Sequence, residues 1–209
     1  MQKSKLSIQL SKLHTFQNPN VELEQYSTPG DIAADILWNA FMNKDIEGKV
    51  VADFASGPGI FAIGALLLGA KKVYLVDKSK EANEIARQNI ADVERELDTS
   101  FEGRYEIVEK DVSEIALKAD TVVQNPPFGT KETHADKEFL ETAFKTAPVV
   151  YSVHKTTSKK FIDAVAKDSG FAVTHYFEYD FPLKATMKFH KKKVQVIKAG
   201  CWRLARKHL

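Results

Sequence analysis

This 209-residue sequence predicts an α/β fold whose mostly parallel sheet is covered by helices on both faces. Three observations predict it. Short β-branched runs alternate with helical spacings along most of the chain, the pattern of a parallel sheet with crossover helices. One run, Val50-Val51-Ala52-Asp53-Phe54, enters the turn Ala55-Ser56-Gly57-Pro58-Gly59 and then an apolar helix. A later run, Val73-Tyr74-Leu75-Val76, ends in an acid, Asp77, at the interval of about 20 residues at which nucleotide-binding folds hold a ribose.

Taken in order, Lys3 to Leu13 places Leu6, Leu10 and Leu13 at helical spacing and predicts a short amphipathic helix, ended by Pro19 and its neighbouring asparagines. Thr28 suits a helix N-cap and Pro29 a first helical position, and Ile32, Ile36, Leu37, Ala40 and Phe41 mark one face of the helix that follows. Val50 to Phe54 is the first central strand, Ile60 to Leu68 a buried helix, and Val73 to Asp77 the second strand. Lys80 to Leu97 is a long charged amphipathic helix, and Tyr105 to Val108 alternates as a third strand. Thr121-Val122-Val123 is a fourth strand, Val149 to Val153 a fifth and Ala172 to Phe177 a sixth, with a helix over Lys159 to Lys167. A seventh runs near Val194 to Ala199 and on towards Leu204. With no strong helix between them, the last two strands predict an antiparallel hairpin at one sheet edge. The length fits one domain, since single cores stop growing at about 250–300 residues.

Hydrophobic content of 44% and charged content of 28% are those of a globular protein. The net charge is only +2, yet no acidic residue follows Asp180, where Lys184, Lys188, Lys191, Lys192, Lys193, Lys198, Arg203, Arg206 and Lys207 fall. That asymmetry points to an anionic partner. One cysteine, Cys201, excludes an internal disulfide and a cysteine-cluster metal site and fits a reducing compartment, the cytoplasm. The six histidines show no zinc-site spacing, and the uncharged apolar run Ile60 to Ala70 is too short to cross a bilayer.

The chemistry is expected at Gln124-Asn125-Pro126-Pro127-Phe128-Gly129. The two prolines stop the fourth strand, because neither donates a ladder hydrogen bond and Pro127 pushes Pro126 out of the helical region. A carboxamide and an aromatic ring are thereby held at a strand's carboxyl end, where open α/β sheets bind ligands. Taken alone, the motif reads better as a rigid strand-to-loop turn than as a site, and Asp77 reads also as a cap for the next helix.

With Asp53, Gly57-Pro58-Gly59, Asp77, Asp111 and Asn125-Pro126-Pro127-Phe128 in that order, the chain resembles class I S-adenosylmethionine-dependent methyltransferases of the Asn-Pro-Pro-Phe type. It is most similar to the archaeal and eukaryotic family that N6-methylates an adenosine in small-subunit ribosomal RNA. The resemblance includes Leu23-Glu24-Gln25-Tyr26 with Thr28, Val150 to Lys155, and Lys188 to Lys193. It implies a Rossmann-like, seven-stranded, mostly parallel sheet with an antiparallel edge hairpin, in one domain over residues 1–209. Residues 1–30 would supply a helix and a segment covering the cofactor, and 181–209 a basic strand region. Gln25 and Thr28 would face the methionine part of S-adenosylmethionine, the loop through Asp53, Ala55, Gly57, Pro58 and Gly59 would pass under it, and Asp77 would hold its ribose. Asp111 and Val112 would border its adenine, with Asn125 beside the methyl donor; no metal is implied. Tyr26, Phe128, His154, Lys155, Lys191, Lys192 and Lys193 would serve the RNA. A small zinc-binding activator protein is an implied partner, added beside an exposed edge such as Tyr105 to Val108. One departure stands out: Ala55 takes the first glycine position of the family's loop, a strained placement if its φ is positive.

In this reading, Asn125 and the Pro126 carbonyl bind both N6 hydrogens of an unpaired adenine, which Phe128 stacks. Asn-Pro-Pro loops also serve methylases of protein glutamine amides and of DNA adenine, and a non-catalytic RNA-binding module on the same scaffold is a further alternative. Phe128 and the basic tail favour RNA.

Overall fold

The computed structural model describes residues 1–17, 27–127, 135–183 and 195–207. Its centre is a seven-stranded sheet of order β3-β2-β1-β4-β5-β7-β6, comprising β1 (Val50–Phe54), β2 (Lys72–Val76), β3 (Tyr105–Val108), β4 (Thr121–Gln124), β5 (Val149–Lys155), β6 (Phe171–Leu183) and β7 (Gln195–Arg206). The first five strands pair in parallel, and β7 runs antiparallel between β5 and β6. The predicted hairpin is therefore present, with its second strand inserted inward and β6 left as the edge.

Burial on both faces explains why the central strands are continuous apolar runs. One face carries α1 (Lys3–Ser11), α2 (Gly30–Met42), α3 (Ile60–Leu67) and α4 (Lys80–Leu97), with Leu10, Leu37, Ile63 and Ile90 packed in one cluster with Val51, Leu75, Val123 and Tyr151. The other carries α5 (Ala135–Thr146) and α6 (Lys159–Asp168), whose Leu140, Phe144 and Ile162 cluster with Phe54, Val122, Val150 and Trp202. Each such side chain contributes about 1.5–3 kcal/mol on full burial. α1 reaches α2 closely because Gly30 has no side chain: a Cβ there would lie 2.6 Å from the Ser11 backbone nitrogen.

Three elements differ from the sequence reading. The reading places nothing between the Asn125 loop and β5, whereas α5 occupies that crossover; its charged residues dilute the helical spacing of Leu140, Ala143 and Phe144. β6 runs through Glu178 and Asp180 to Leu183, since one face of an edge strand tolerates charge. Thr28 is not the cap of α2. Pro29 holds that position with no side-chain cap, so Pro29 lies outside the helix and the Thr28 hydroxyl is left for another partner.

One ion pair ties the sheet to the α2–β1 connection. Asp45 Oδ2 accepts from Arg203 Nε at 2.8 Å and Tyr151 Oη at 2.7 Å, and its backbone carbonyl accepts from Thr121 Oγ1 at 2.7 Å. Both charged side chains are largely buried, at 14% and 10% exposed. Asp45→Ala leaves Arg203 and the Tyr151 hydroxyl desolvated without their acceptor, and is expected to cost about 3–5 kcal/mol in chemical denaturation.

Candidate active site

The sheet order reverses direction between β1 and β4, the switch point where ligands bind in open α/β sheets. Parallel pairing of Phe54 with Gln124 sets the loop after β1 beside the loop after β4. The glycine loop is built tightly. Gly57 and Gly59 have φ of 52° and 88°, and a Cβ on Gly59 would press on Leu75 at 3.2 Å and Ala86 at 3.3 Å. Ala55 also lies in the left-handed region, at φ 53°. Its methyl group makes that conformation cost roughly 1–2 kcal/mol, so the loop holds strain at the position where the sequence departs from the family pattern.

Three carboxylates stand at the carboxyl ends of β1, β2 and β3 in different electrostatic states. Asp53 is 1% exposed; its Oδ2 accepts from Ala62 N at 2.9 Å, at the start of α3. Burial pushes its carboxyl well above the ordinary range, opposed by the Ala62 N–H and reinforced by the charge on Asp77. Asp77 Oδ2 accepts from Gly57 N at 2.8 Å and Oδ1 from Ser79 N at 2.9 Å, which joins the end of β2 to the glycine loop and leaves lone pairs for ribose hydroxyls. Burial raises this carboxyl too, against those two backbone donors and Lys78. Asp111 is the reverse case. The Ser113 N–H is the largest influence holding it low, with the Ser113 hydroxyl and Lys78 adding to it. Val112 beside it is buried in the α5 and α6 layer and offers an apolar wall.

On the other side, Asn125 Nδ2 donates to Thr28 Oγ1 at 3.0 Å, which fixes the orientation of the carboxamide. Its Oδ1 is shielded from solvent and has no partner among the described residues. Asp53 Oδ1 and Ser56 Oγ are buried in the same condition. Buried polar atoms are normally paired; Gln124 Oε1, at the end of β4, is open as well, and these unpaired atoms at the ends of β1 and β4 suit a polar molecule bound there.

The structure brings Thr28, Asp53, Ala55, Gly57, Pro58, Gly59, Asp77, Asn125, Pro126 and Pro127 to this end of the sheet, with Asp111 and Val112 beside Lys78. Gln25, Tyr26, Phe128, Lys191, Lys192 and Lys193 lie outside the described residues. His154 is a correction. It is 0% exposed, with its ring against Ser152 and Trp202, because α5 and the Trp202 side chain of β7 cover that face of β5; it presents no surface to RNA. Lys155, at the end of β5, is half-buried.

The sequence reading passed over Ser56 and Asn89. Asn89 is 1% exposed and uses its whole carboxamide on backbone: Oδ1 accepts from His14 N at 2.8 Å, and Nδ2 donates to His14 O and Pro58 O at 3.0 Å each. It thus ties the glycine loop to the chain leaving α1. An amide on the apolar stripe of α4, among Ala82, Ala86, Ile90 and Val93, is the sequence signal for it.

A profile of the methyltransferase small domain matches residues 26–152. An rRNA N(6)-adenosine-methyltransferase of Drosophila melanogaster is 36% identical over 202 residues, covering 95% of this chain and 94% of that protein. One of Danio rerio is 37% identical over 193 residues, 88% of this chain and 89% of that protein. A solved structure from Pyrococcus horikoshii, described as a candidate RNA methyltransferase, shares 40% identity with a TM-score of 0.90 over 100% of this chain and 99% of its own.

Two outcomes are expected. Ala55→Gly relieves the left-handed strain and stabilises the fold by about 1 kcal/mol net of the flexibility that glycine adds to the unfolded chain, read by chemical denaturation. Asp53→Asn keeps an acceptor for Ala62 N and removes the buried charge. Because burial raises the folded carboxyl well above its ordinary range, the stability it contributes is full below the ordinary carboxylate pKa and lost as pH rises through its folded value. The variant should therefore melt higher than the parent protein at neutral pH, with the gap closing towards pH 4.

Proposed function

We infer that this chain, which belongs to the methyltransferase small-domain family, is an S-adenosylmethionine-dependent methyltransferase acting on the N6 amine of an unpaired adenosine in RNA. The observation that carries the reading is the Asn125 carboxamide, whose nitrogen is held by Thr28 while its buried oxygen is left open. Small-subunit ribosomal RNA is the proposed substrate, supported by the rRNA N(6)-adenosine-methyltransferases that match nearly the whole chain.

The cofactor fits the residues present. Asp77 would take the ribose, the Asp53-to-Gly59 turn would run under the methionine part with Thr28 and Gln25 facing it, and Asp111 with Val112 would border the adenine. When bound, S-adenosylmethionine supplies an electrophilic sulfonium methyl. The protein's own task is the nucleophile. The exocyclic amine of adenine is weak because its lone pair is delocalised into the ring. Asn125 Oδ1 and the Pro126 carbonyl accept its two hydrogens, draw the nitrogen towards tetrahedral geometry and free the lone pair for in-line attack. Pro127 fixes the turn that presents both oxygens. Phe128 is assigned the stacking contact with the base, worth about 1–3 kcal/mol. Asn125 accepts through its oxygen without taking a proton, so rate gain comes from positioning. The product nitrogen, once methylated, releases a proton to water.

Lys191, Lys192 and Lys193, in the stretch free of acidic residues, are proposed to meet RNA phosphates, with Lys155 touching the RNA and Tyr26 helping to shape the base pocket. β3 is a sheet edge, and a groove lined by Arg87, Tyr105, Glu106 and Ile107 runs along it. That edge is the proposed seat of a small zinc-binding activator protein adding a strand. Among the described residues no helix is long and apolar enough to cross a membrane, and the single buried cysteine accords with action in the cytoplasm.

The test is transfer of labelled methyl to small-subunit ribosomal RNA, with release factor and DNA as competing acceptors. Label in RNA as N6-methyladenosine is expected; label in protein or DNA alone overturns the reading. Asn125→Ala should reduce transfer by at least about 100-fold with S-adenosylhomocysteine binding nearly intact in calorimetry, as for loss of a transition-state acceptor. Asp77→Ala should first weaken that binding.

A further inference from the structure

The corrected position of His154 carries an assignment of its own. Gln124, the residue before Asn125, is 0% exposed, and its Nε2 donates to Ser152 Oγ at 2.9 Å. Ser152 Oγ lies 2.5 Å from His154 Nε2, and His154 Nδ1 faces Asp136 Oδ2 at 3.7 Å. With the Gln124 amide donating to Ser152 Oγ, the Ser152 hydroxyl hydrogen is free to serve His154 Nε2, while Nδ1 is buried with no hydrogen-bond partner among the described residues.

Serine, histidine and aspartate in this order look like a nucleophilic triad. Burial excludes that use: Ser152 and His154 are both 0% exposed, and no acyl group can reach Oγ. What the chain does reach is the candidate catalytic loop, from both ends. Gln124 closes β4 immediately before Asn125, and Asp136 stands in the first turn of α5, where the chain returns. Ser152 is the registered partner of Gln124 across the β4–β5 pair. His154, two residues along, lies on the same face of the sheet. Trp202, registered opposite Ser152, and α5 seal that face.

We propose that His154 is a positioning residue for the methyl-transfer site, acting through Ser152 on Gln124. Successive residues of a strand point to opposite faces. Holding Gln124 in the α5 layer turns Asn125 towards the α2 side, where Thr28 receives its Nδ2. The inference rests on Asn125 being the group that grips the target amine, and its consequences are separable from that reading.

The experiment compares Ser152→Ala, His154→Leu and His154→Gln with the parent protein and with Asn125→Ala, on unmodified small-subunit ribosomal RNA. Ser152→Ala is small enough to keep the core packed, and glutamine restores an acceptor for the Ser152 hydroxyl. Expected are kcat losses of about 10- to 100-fold for Ser152→Ala and His154→Leu, unchanged KM for the cofactor and unchanged S-adenosylhomocysteine binding, with substantial rescue in His154→Gln. The side-chain amide resonances of Asn125 give a reading that needs no substrate. In Ser152→Ala they should shift and exchange faster with solvent as the contact with Thr28 loosens. An undisturbed Asn125 amide with kcat unchanged overturns the inference, as does a loss of kcat that merely tracks a lower folded fraction. If Asn125→Ala keeps full activity, the catalytic reading of the loop falls, while the amide resonances still decide whether His154 positions it.

Discussion

Parallel pairing of β1 with β4 is the constraint on which the site depends. Phe54 lies in register with Gln124, so the two loops that leave these strands emerge side by side although far apart in sequence. Neither loop is a site alone. The first is a glycine turn with a buried carboxylate beneath it; the second is a rigid Asn-Pro-Pro turn with one open carbonyl oxygen. The sheet makes them a pair, and the right-handed crossovers on either side place helix starts and strand ends at that same edge.

The polar groups there are divided by function through their surroundings. Asp53 is desolvated to the point that its ionised form is disfavoured, and it holds the first turn of α3. Asp77 shares its two oxygens between Gly57 and Ser79 and so couples the second strand to the glycine turn. Asp111 stays ionised under the Ser113 donors and Lys78. The same residue type thus serves as loop anchor, candidate sugar acceptor and half-buried anion. Burial and backbone donors account for the difference. The left-handed Ala55 sits among these groups, its strain opposed by the hydrogen bonds on either side of it.

Two buried carboxamides and a buried imidazole then lie behind the two candidate loops. Asn89 binds backbone atoms of both the glycine loop and the chain leaving α1, while Gln124 and His154 both hydrogen-bond Ser152 on the strand beside the one that ends at Asn125. These groups lie in the two opposite layers that sandwich the sheet. Each candidate loop is therefore fixed from its own side, in an interior where an unpaired amide is costly and a paired one is rigid.

The sequence by itself determined the layers and much of the site. β1, β3 and α4 match their expected bounds residue for residue, because continuous β-branched runs, alternation and an amphipathic period are local properties that tertiary contacts reinforced. The glycine turn, Asp77 and the Asn125 loop were legible for the same reason: special backbone geometry demands special residues nearby in sequence. Tertiary structure alone decided the rest. It turned Thr28 from a helix cap into a partner for Asn125, buried His154 that the motif suggested was available to RNA, and gave Asn89 its three backbone partners. Those outcomes depend on which distant strand or loop lies opposite a given side chain, and local periodicity carries no record of that pairing.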